Sequence, residues 1–401
     1  MLSNALRQKK EALPVGKAEQ IATSMKGEPK SILIVTASFT PEISPRAFRA
    51  TELACELARQ GHSVTVITPR NKAVYSRFWE ENRLNFKDMG NPRWKVPGTG
   101  GSTGRRYGVL RLIRQGIARM LEHFLEYPDI QYMFMVRKAL LDEGGHDLLI
   151  SVAVPYPVHW GVALARTPRR RIADVWVADC GDPYMGNTLD RFRKPFYFAY
   201  VEKWFMRRCD FISITREAFR VNYYPEFHAK MVEIPQGFRF IEVKPAPEDS
   251  LNGIPRFAFA GSFIRQKRDP GEFLAYLATL RSDFRFILFT QTRELIDPFV
   301  PLLNGKLEIR DYIPREELLP QLAGMDFLVN FGFDPQVQSP SKLIDYALAG
   351  RPVLHIPSSG MDTKVIDAFL AGDYHDRFEL NDLERYRVET VSASFLKLLD
   401  G

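Results

Sequence analysis

At 401 residues the chain is long enough for two domains of roughly 150–200 residues each. Its 45% hydrophobic and 26% charged content is that of an ordinary globular protein, and no apolar run approaches the ~18 residues of a spanning helix. A net charge of +7 favours anionic partners, no nucleic-acid motif of defined spacing is present, and three cysteines (Cys55, Cys180, Cys209) are too few for a disulfide framework and lack metal-ligand spacing.

Residues 1–30 are polar, mixed in charge and without an apolar signal core; they read as a poorly ordered extension of a cytoplasmic chain. Residues 31–37 form a buried strand, 46–60 an amphipathic helix closed by Gly61, and 63–68 a second strand. The Gly-rich stretch 98–104 follows no apolar strand and lacks a closing Lys-Ser or Lys-Thr, so it reads as a surface loop rather than a phosphate loop. Residues 105–138 combine Arg105, Arg106, Arg111, Arg114, Arg119, Arg137 and Lys138 with an apolar stripe at helical spacing. Such a helix lies on an anionic membrane surface or packs its stripe into a core; the sequence leaves both open. Strands follow at 147–151, 174–178 and 210–214. Residues 243–253, rich in Pro, Gly and polar side chains, read as a linker, and a second strand set occupies 257–260, 284–289, 307–309, 327–330 and 353–356. Apolar strands alternating with helices predict an α/β protein of two doubly wound parallel sheets, with a cleft between their carboxyl ends.

Four short segments carry chemistry. Ser44 and Arg46 stand where the first strand runs into its helix, with Arg49 one turn on. Ala178-Asp179-Cys180-Gly181-Asp182-Pro183-Tyr184 puts two carboxylates at a strand end, where one can orient a hydroxyl or take its proton; Asp182 ranks above Asp179. A metal there would need a suitably spaced His partner, and none is present. Arg265, Lys267 and Arg268 cluster after the first strand of the second set, where a basic loop would stabilise a leaving diphosphate. Gln338-Ser339-Pro340-Ser341-Lys342-Leu343 opens a helix: Ser339 suits the N-cap and Pro340 the first turn. Free N–H groups at such a start suit phosphate, and Asp345 one turn inside suits a ribose diol. His159 reads as a structural histidine, and Gly237 as a turn of close approach.

The last of these segments resembles the nucleotide-sugar helix of the GT-B glycosyltransferases, family 4 in particular. The matching residues are Pro340-Ser341-Lys342-Leu343, Asp345, Gly350, Pro352 and Val353. In that family an acidic residue, usually Glu, binds the ribose where Asp345 stands; a second Glu, eight positions earlier, contacts the donor sugar, and here that position is Val337. The segment 178–184 is similar to an Asp-x-x-Asp-Pro-Trp motif of one subgroup, with Tyr184 for Trp. The loop after residue 260 is similar to the family's diphosphate clamp: Lys267 takes the Lys position and Ser262 replaces the Arg. Residues 233–239 resemble the turn into the second domain.

The resemblance implies a GT-B architecture of two Rossmann-like domains facing across a cleft. Residues 31–240 would present the acceptor, 241–380 would hold the nucleotide sugar, and 381–401 would form a C-terminal helix packing back on the first domain. It implies a hexosyl- or related transferase, retaining, that moves a sugar to a glycan or lipid-linked acceptor in surface polysaccharide or glycoconjugate synthesis, without metal or cofactor. Asp182 and Lys267 would be catalytic. Arg265, Arg268, Gln338, Ser339, Ser341, Lys342, Leu343 and Asp345 would bind the donor, and Ser44, Arg46, Asp179 and Tyr184 would face the acceptor. The protein would work in the cytoplasm, peripheral to the membrane through 105–138, and would not bind nucleic acid. The alternative is a non-catalytic nucleotide- or glycan-binding protein on the same fold.

Overall fold

The computed structural model describes residues 28–42, 44–69, 76–94, 108–187, 193–244, 253–332 and 341–400; of residues 108–114 and of Ser341 it describes the backbone alone. The chain divides into two compact units, one of Met1–Glu233 with Phe395–Gly401, the other of Ile234–Ser394. The division falls at the end of a strand and upstream of the expected linker, most of which (245–252) lies outside the described residues. The Gly-rich stretch 98–104 lies outside them as well.

The first unit is built on a seven-stranded parallel sheet: β1 (Ser31–Thr36), β2 (Ser63–Thr68), β3 (Asn85–Asp88), β4 (His146–Val152), β5 (Ala173–Gly181), β6 (Phe211–Ile214) and β7 (Met231–Glu233). Their spatial order is β3-β2-β1-β4-β5-β6-β7. Continuous apolar runs make the central strands: Ile32 to Val35 are fully buried, and Ile32 is in register with Val64 on one side and Leu148 on the other. Strands this apolar must be covered on both faces, and helices such as Pro45–Arg59 and Pro157–Ala165 supply the cover. Ser44 caps the first of these by accepting from the Ala47 amide at 3.1 Å, and Pro45 fills its first turn.

The second unit repeats the plan with five strands: β8 (Arg256–Ala260), β9 (Arg285–Phe289), β10 (Leu307–Arg310), β11 (Phe327–Gly332) and β12 (Val353–Pro357), in the order β10-β9-β8-β11-β12. Alternate residues go to opposite faces. Phe257, Phe259, Phe286, Leu288, Phe327 and Val329 build one core, Ala258, Ala260, Ile287, Phe289 and Leu328 the other. The Phe257 ring stacks on Phe286 at 4.7 Å and on Phe327 at 4.6 Å. The helix Ser341–Ala349 covers the second core with Leu343, Tyr346 and Ala349, and the Tyr346 hydroxyl accepts from the Ala260 amide at 3.0 Å. In both units strand order reverses beside the first strand, between β1 and β4 and between β8 and β11. The carboxyl ends at such a reversal form the crevice where doubly wound sheets bind ligands.

Candidate active site

In the second unit Lys342 reaches the crevice. Gly261 follows β8 with φ of +141°, and a Cβ there would lie 1.7 Å from Lys342 Nζ. Only glycine leaves that path open. The ammonium crosses the Gly261 backbone and stops 4.6 Å from the centre of the Phe259 ring. It is buried and has no hydrogen-bond partner among the described residues. Burial, with the Arg268 charge adding to it, lowers its pKa to about 7. A cation held over an aromatic face at a helix start, with its donors unused, is a seat for an anion.

The loop after Gly261 is a tight turn. The Arg268 amide donates to the Ile264 carbonyl at 2.8 Å, that of Lys267 at 3.0 Å, and Gln266 takes a left-handed φ of 64°. Lys267 and Arg265 are exposed, Arg265 lying 3.4 Å from Glu294, while Arg268 is half-buried. Lys342 therefore outranks Lys267 as a contact for an anion: an ammonium in solvent loses most of its field to water, and a buried one does not. Leu343 is buried in the sheet-covering face of its helix, Ser341 begins that helix, and Gln338 and Ser339 lie outside the described residues.

Asp345 is engaged. Arg315 Nε donates to its Oδ1 at 2.7 Å, while Nη1 of the same guanidinium donates to the Arg239 carbonyl at 3.2 Å. Arg315 also lies over the Phe238 ring at 5.7 Å. Burial raises the Asp345 carboxyl above its ordinary value in spite of Arg315. Sequence reasoning missed Arg315, whose signal was an Arg directly after Pro314 at a helix start. Gly237 is the close approach expected: a Cβ there would meet Val388 and Val391 at 3.3 Å.

In the first unit the two carboxylates of 178–184 part company. Asp182 has a 60% exposed side chain and accepts from Arg46 Nη2 at 2.7 Å. Gly181, at φ of +64°, makes room for the Arg46 guanidinium, which would meet a Cβ at 2.1 Å. Tyr156, a second residue that sequence reasoning missed, donates its hydroxyl proton to the Asp182 carbonyl.

Asp179 corrects the expectation of an acceptor-facing group. It is fully buried, receiving Arg49 Nε at 2.5 Å and Nη2 at 2.8 Å, and Ser213 Oγ at 2.6 Å. A carboxylate so enclosed is structural. Tyr184 is corrected likewise: it is 7% exposed, packs on Tyr156 at 4.7 Å and donates to Glu126 at 2.9 Å. Ser44 is the helix cap already described. His159 is a core residue, its Nδ1 paired with Ser151 at 2.8 Å and its pKa lowered by burial to about 3.

Residues 47–226, most of the first unit, match the model of the glycosyl transferase 4-like domain. Over that segment the chain is similar to glycosyltransferases of the family 4 type. Solved structures share the whole two-domain GT-B fold. A glycosyltransferase from Rickettsia africae ESF-5 is 12% identical with a TM-score of 0.56, the alignment covering 92% of this chain and 98% of that one. HepE of Anabaena, solved with UDP and glucose and with UDP-glucose, gives a TM-score of 0.53 at 12% identity in the first of these structures, over 92% and 99% of the two chains. The UDP-GlcNAc 2-epimerase of Methanocaldococcus jannaschii is also similar, at 12% identity and a TM-score of 0.50 over 92% and 99%. The GT-B fold alone therefore does not select the reaction. No curated protein matches the chain in sequence.

Proposed function

We propose that this GT-B protein transfers a sugar, a hexose or a relative, from a nucleotide-sugar donor to a lipid-linked or glycan acceptor at the cytoplasmic face of a membrane. The observation that carries the reading is Lys342: a buried ammonium without a partner among the described residues, at the strand-order reversal of the second unit. It receives the donor diphosphate, whose charge grows as the glycosidic bond breaks, with Arg268 beside it and Arg265 and Lys267 at the exposed rim. Asp345 and Arg315 together meet the ribose. In the first unit Asp182, oriented by Arg46, receives the acceptor hydroxyl. The departing phosphate assists the incoming hydroxyl on the same face, and the anomeric configuration is retained. The pathway is surface polysaccharide or glycoconjugate synthesis.

The membrane part of this reading rests on the helix Gly108–Leu125. Of its described side chains, Ala118 alone is buried; Ile117, Met120 and Phe124 are 49%, 60% and 46% exposed. The apolar stripe is thus spent outside the core, as an interfacial helix spends it. No helix among the described residues is long and apolar enough to cross a membrane. The second reading, a non-catalytic nucleotide- or glycan-binding protein on the same fold, is favoured by Val337 and Ser262, which stand where a Glu and an Arg would contact a donor.

A thermal-shift screen of nucleotide sugars tests the donor assignment. Nucleotides of one base are expected to stabilise the protein by roughly 2.7 kcal/mol at a hundred times their dissociation constant. Asp345→Asn should weaken that binding by roughly tenfold to a hundredfold, because a charged hydrogen bond contributes about 1.5–3 kcal/mol. No shift with any nucleotide, or equal shifts in the variant, would refute the donor site or the ribose contact respectively.

A further inference from the structure

The first unit contains a cavity of 560 Å³ walled by Phe124, Tyr127, Met133, Trp160, Phe198 and Val201, among others, with almost no polar surface. Trp94, 44% exposed, stacks on Tyr127 at 5.7 Å at its edge, and Trp160 stacks on Phe198 at 5.9 Å within it. The helix Gly108–Leu125 ends at the cavity, so its outward stripe of Ile117, Met120 and Phe124 leads to the opening. Phe196 and Tyr200, in the segment that forms the other wall, are 77% and 71% exposed. Exposed apolar surface on this scale marks a contact with a membrane or an apolar ligand.

Charge selects among the candidates. Residues 108–139 and 193–208, which supply nearly all of the wall, hold ten Lys and Arg against four Asp and Glu, so they carry six of the chain's net +7. The carboxylates nearest the cavity are already engaged or partly neutral. Glu126 accepts from Lys194 and Tyr184, and burial, with Glu126 and Glu122, raises the Asp129 carboxyl to about 6. A peptide lying in the cavity would bring backbone N–H and C=O groups that this wall cannot satisfy. A hydrocarbon chain brings none, and an apolar cavity of this size is a poor site for water.

We propose that this cavity takes the hydrocarbon chain of an anionic amphiphile, the lipid anchor of the acceptor, drawn from the membrane against which the helix Gly108–Leu125 lies. The identity of the lipid as acceptor rests on the glycosyl-transfer reading; its binding does not, and is measured without nucleotide or sugar.

The probe is 11-bromoundecanoate below its micelle concentration, read by quenching of tryptophan fluorescence, since bromine quenches Trp94 and Trp160 only on contact. Saturable quenching is expected, reversed by unbrominated undecanoate. The neutral 11-bromoundecanol should bind about tenfold more weakly, the scale of one or two cations near a headgroup. Val201→Phe, which narrows the cavity, should weaken binding by about tenfold or more while circular dichroism stays unchanged. Absence of saturable quenching in the wild type would overturn the proposal, including the case in which the chain's own residues fill the cavity. So would quenching that undecanoate does not reverse, equal affinity for the alcohol, or binding unchanged in a folded Val201→Phe. Should that variant not fold, competition by undecanoate on the wild type still decides. Failure of glycosyl transfer with binding intact would leave the lipid site standing and refute only its role as acceptor anchor.

Discussion

Lys342→Met is expected to make the protein more stable and, at the same time, unable to bind a nucleoside diphosphate. Methionine has nearly the length of lysine and packs well on an aromatic ring such as Phe259. It removes a buried polar group with no partner among the described residues, which should raise stability by about 1–3 kcal/mol. It also removes the fixed charge at the crevice, and loss of one such positioned donor reduces turnover by about a hundredfold or more. Lys267→Ala, in solvent, should cost far less.

The same residue gives a pH signature. A lysine in the unfolded chain stays protonated to about 10.5, whereas folded Lys342 gives up its proton above about 7. Between those values the unfolded state binds more protons, so the Lys342 contribution to stability rises with pH across that window and is missing in Lys342→Met. Diphosphate binding runs the other way. It needs the ammonium, so affinity should fall as pH rises above 7, by up to about tenfold per unit. Calorimetric titrations at pH 6.5 and 8.5 on both proteins check this. Equal affinity of wild type and variant at both pH values would remove Lys342 from the site.

Asp179→Ala is the largest expected loss of stability. It removes the carboxylate that Arg49, 2% exposed, donates to in the core, and breaking a buried pair in this way costs about 3–5 kcal/mol. Replacing both residues, Arg49→Met with Asp179→Leu, should recover most of that cost, because no charge is left buried. Burial by itself would raise the Asp179 carboxyl; Arg49 first, then Ser213 and Arg46, overcome it and hold the group below its ordinary value. Its contribution is therefore complete above an unfolded value of 3.8 and is lost as pH falls through the lower folded value. Urea unfolding at pH 7 and thermal unfolding between pH 5 and 3 measure the two effects. A loss below about 1 kcal/mol in Asp179→Ala would reduce the pair to an exposed-type salt bridge.

What the sequence disclosed follows from how local each signal is. Central strands such as β1 and β8 are visible because four or more consecutive apolar residues have no other use in a short segment. The edge strands β3, Asn-Phe-Lys-Asp, and β7, three residues long, are not visible, because an edge needs little burial. That blind spot also shifts the unit boundary: the first unit ends with β7, while composition points to the Pro-rich segment further on. Helix Ser341–Ala349 is legible from its periodicity and from Gly350 after it. The path of Lys342 over Gly261 is not legible, because it depends on where β8 ends in space. The fate of Asp179 is settled by Arg49, 130 residues away, and no local pattern reports that. Both carboxylates at this strand end read as facing the cleft, Asp182 ahead of Asp179; in the structure Asp179 turns inward to Arg49, and Asp182 stays outside with Arg46.

Whether the chain moves a sugar is decided by one measurement. The protein is incubated with the nucleotide sugar that stabilises it and with a membrane lipid extract, and nucleoside diphosphate release and lipid masses are followed together. Release of the diphosphate is expected, matched by a lipid heavier by one sugar residue, with neither in Lys342→Met. A donor that binds the wild type yet is neither cleaved nor transferred would contradict it, and would leave a nucleotide-binding protein on a glycosyltransferase fold.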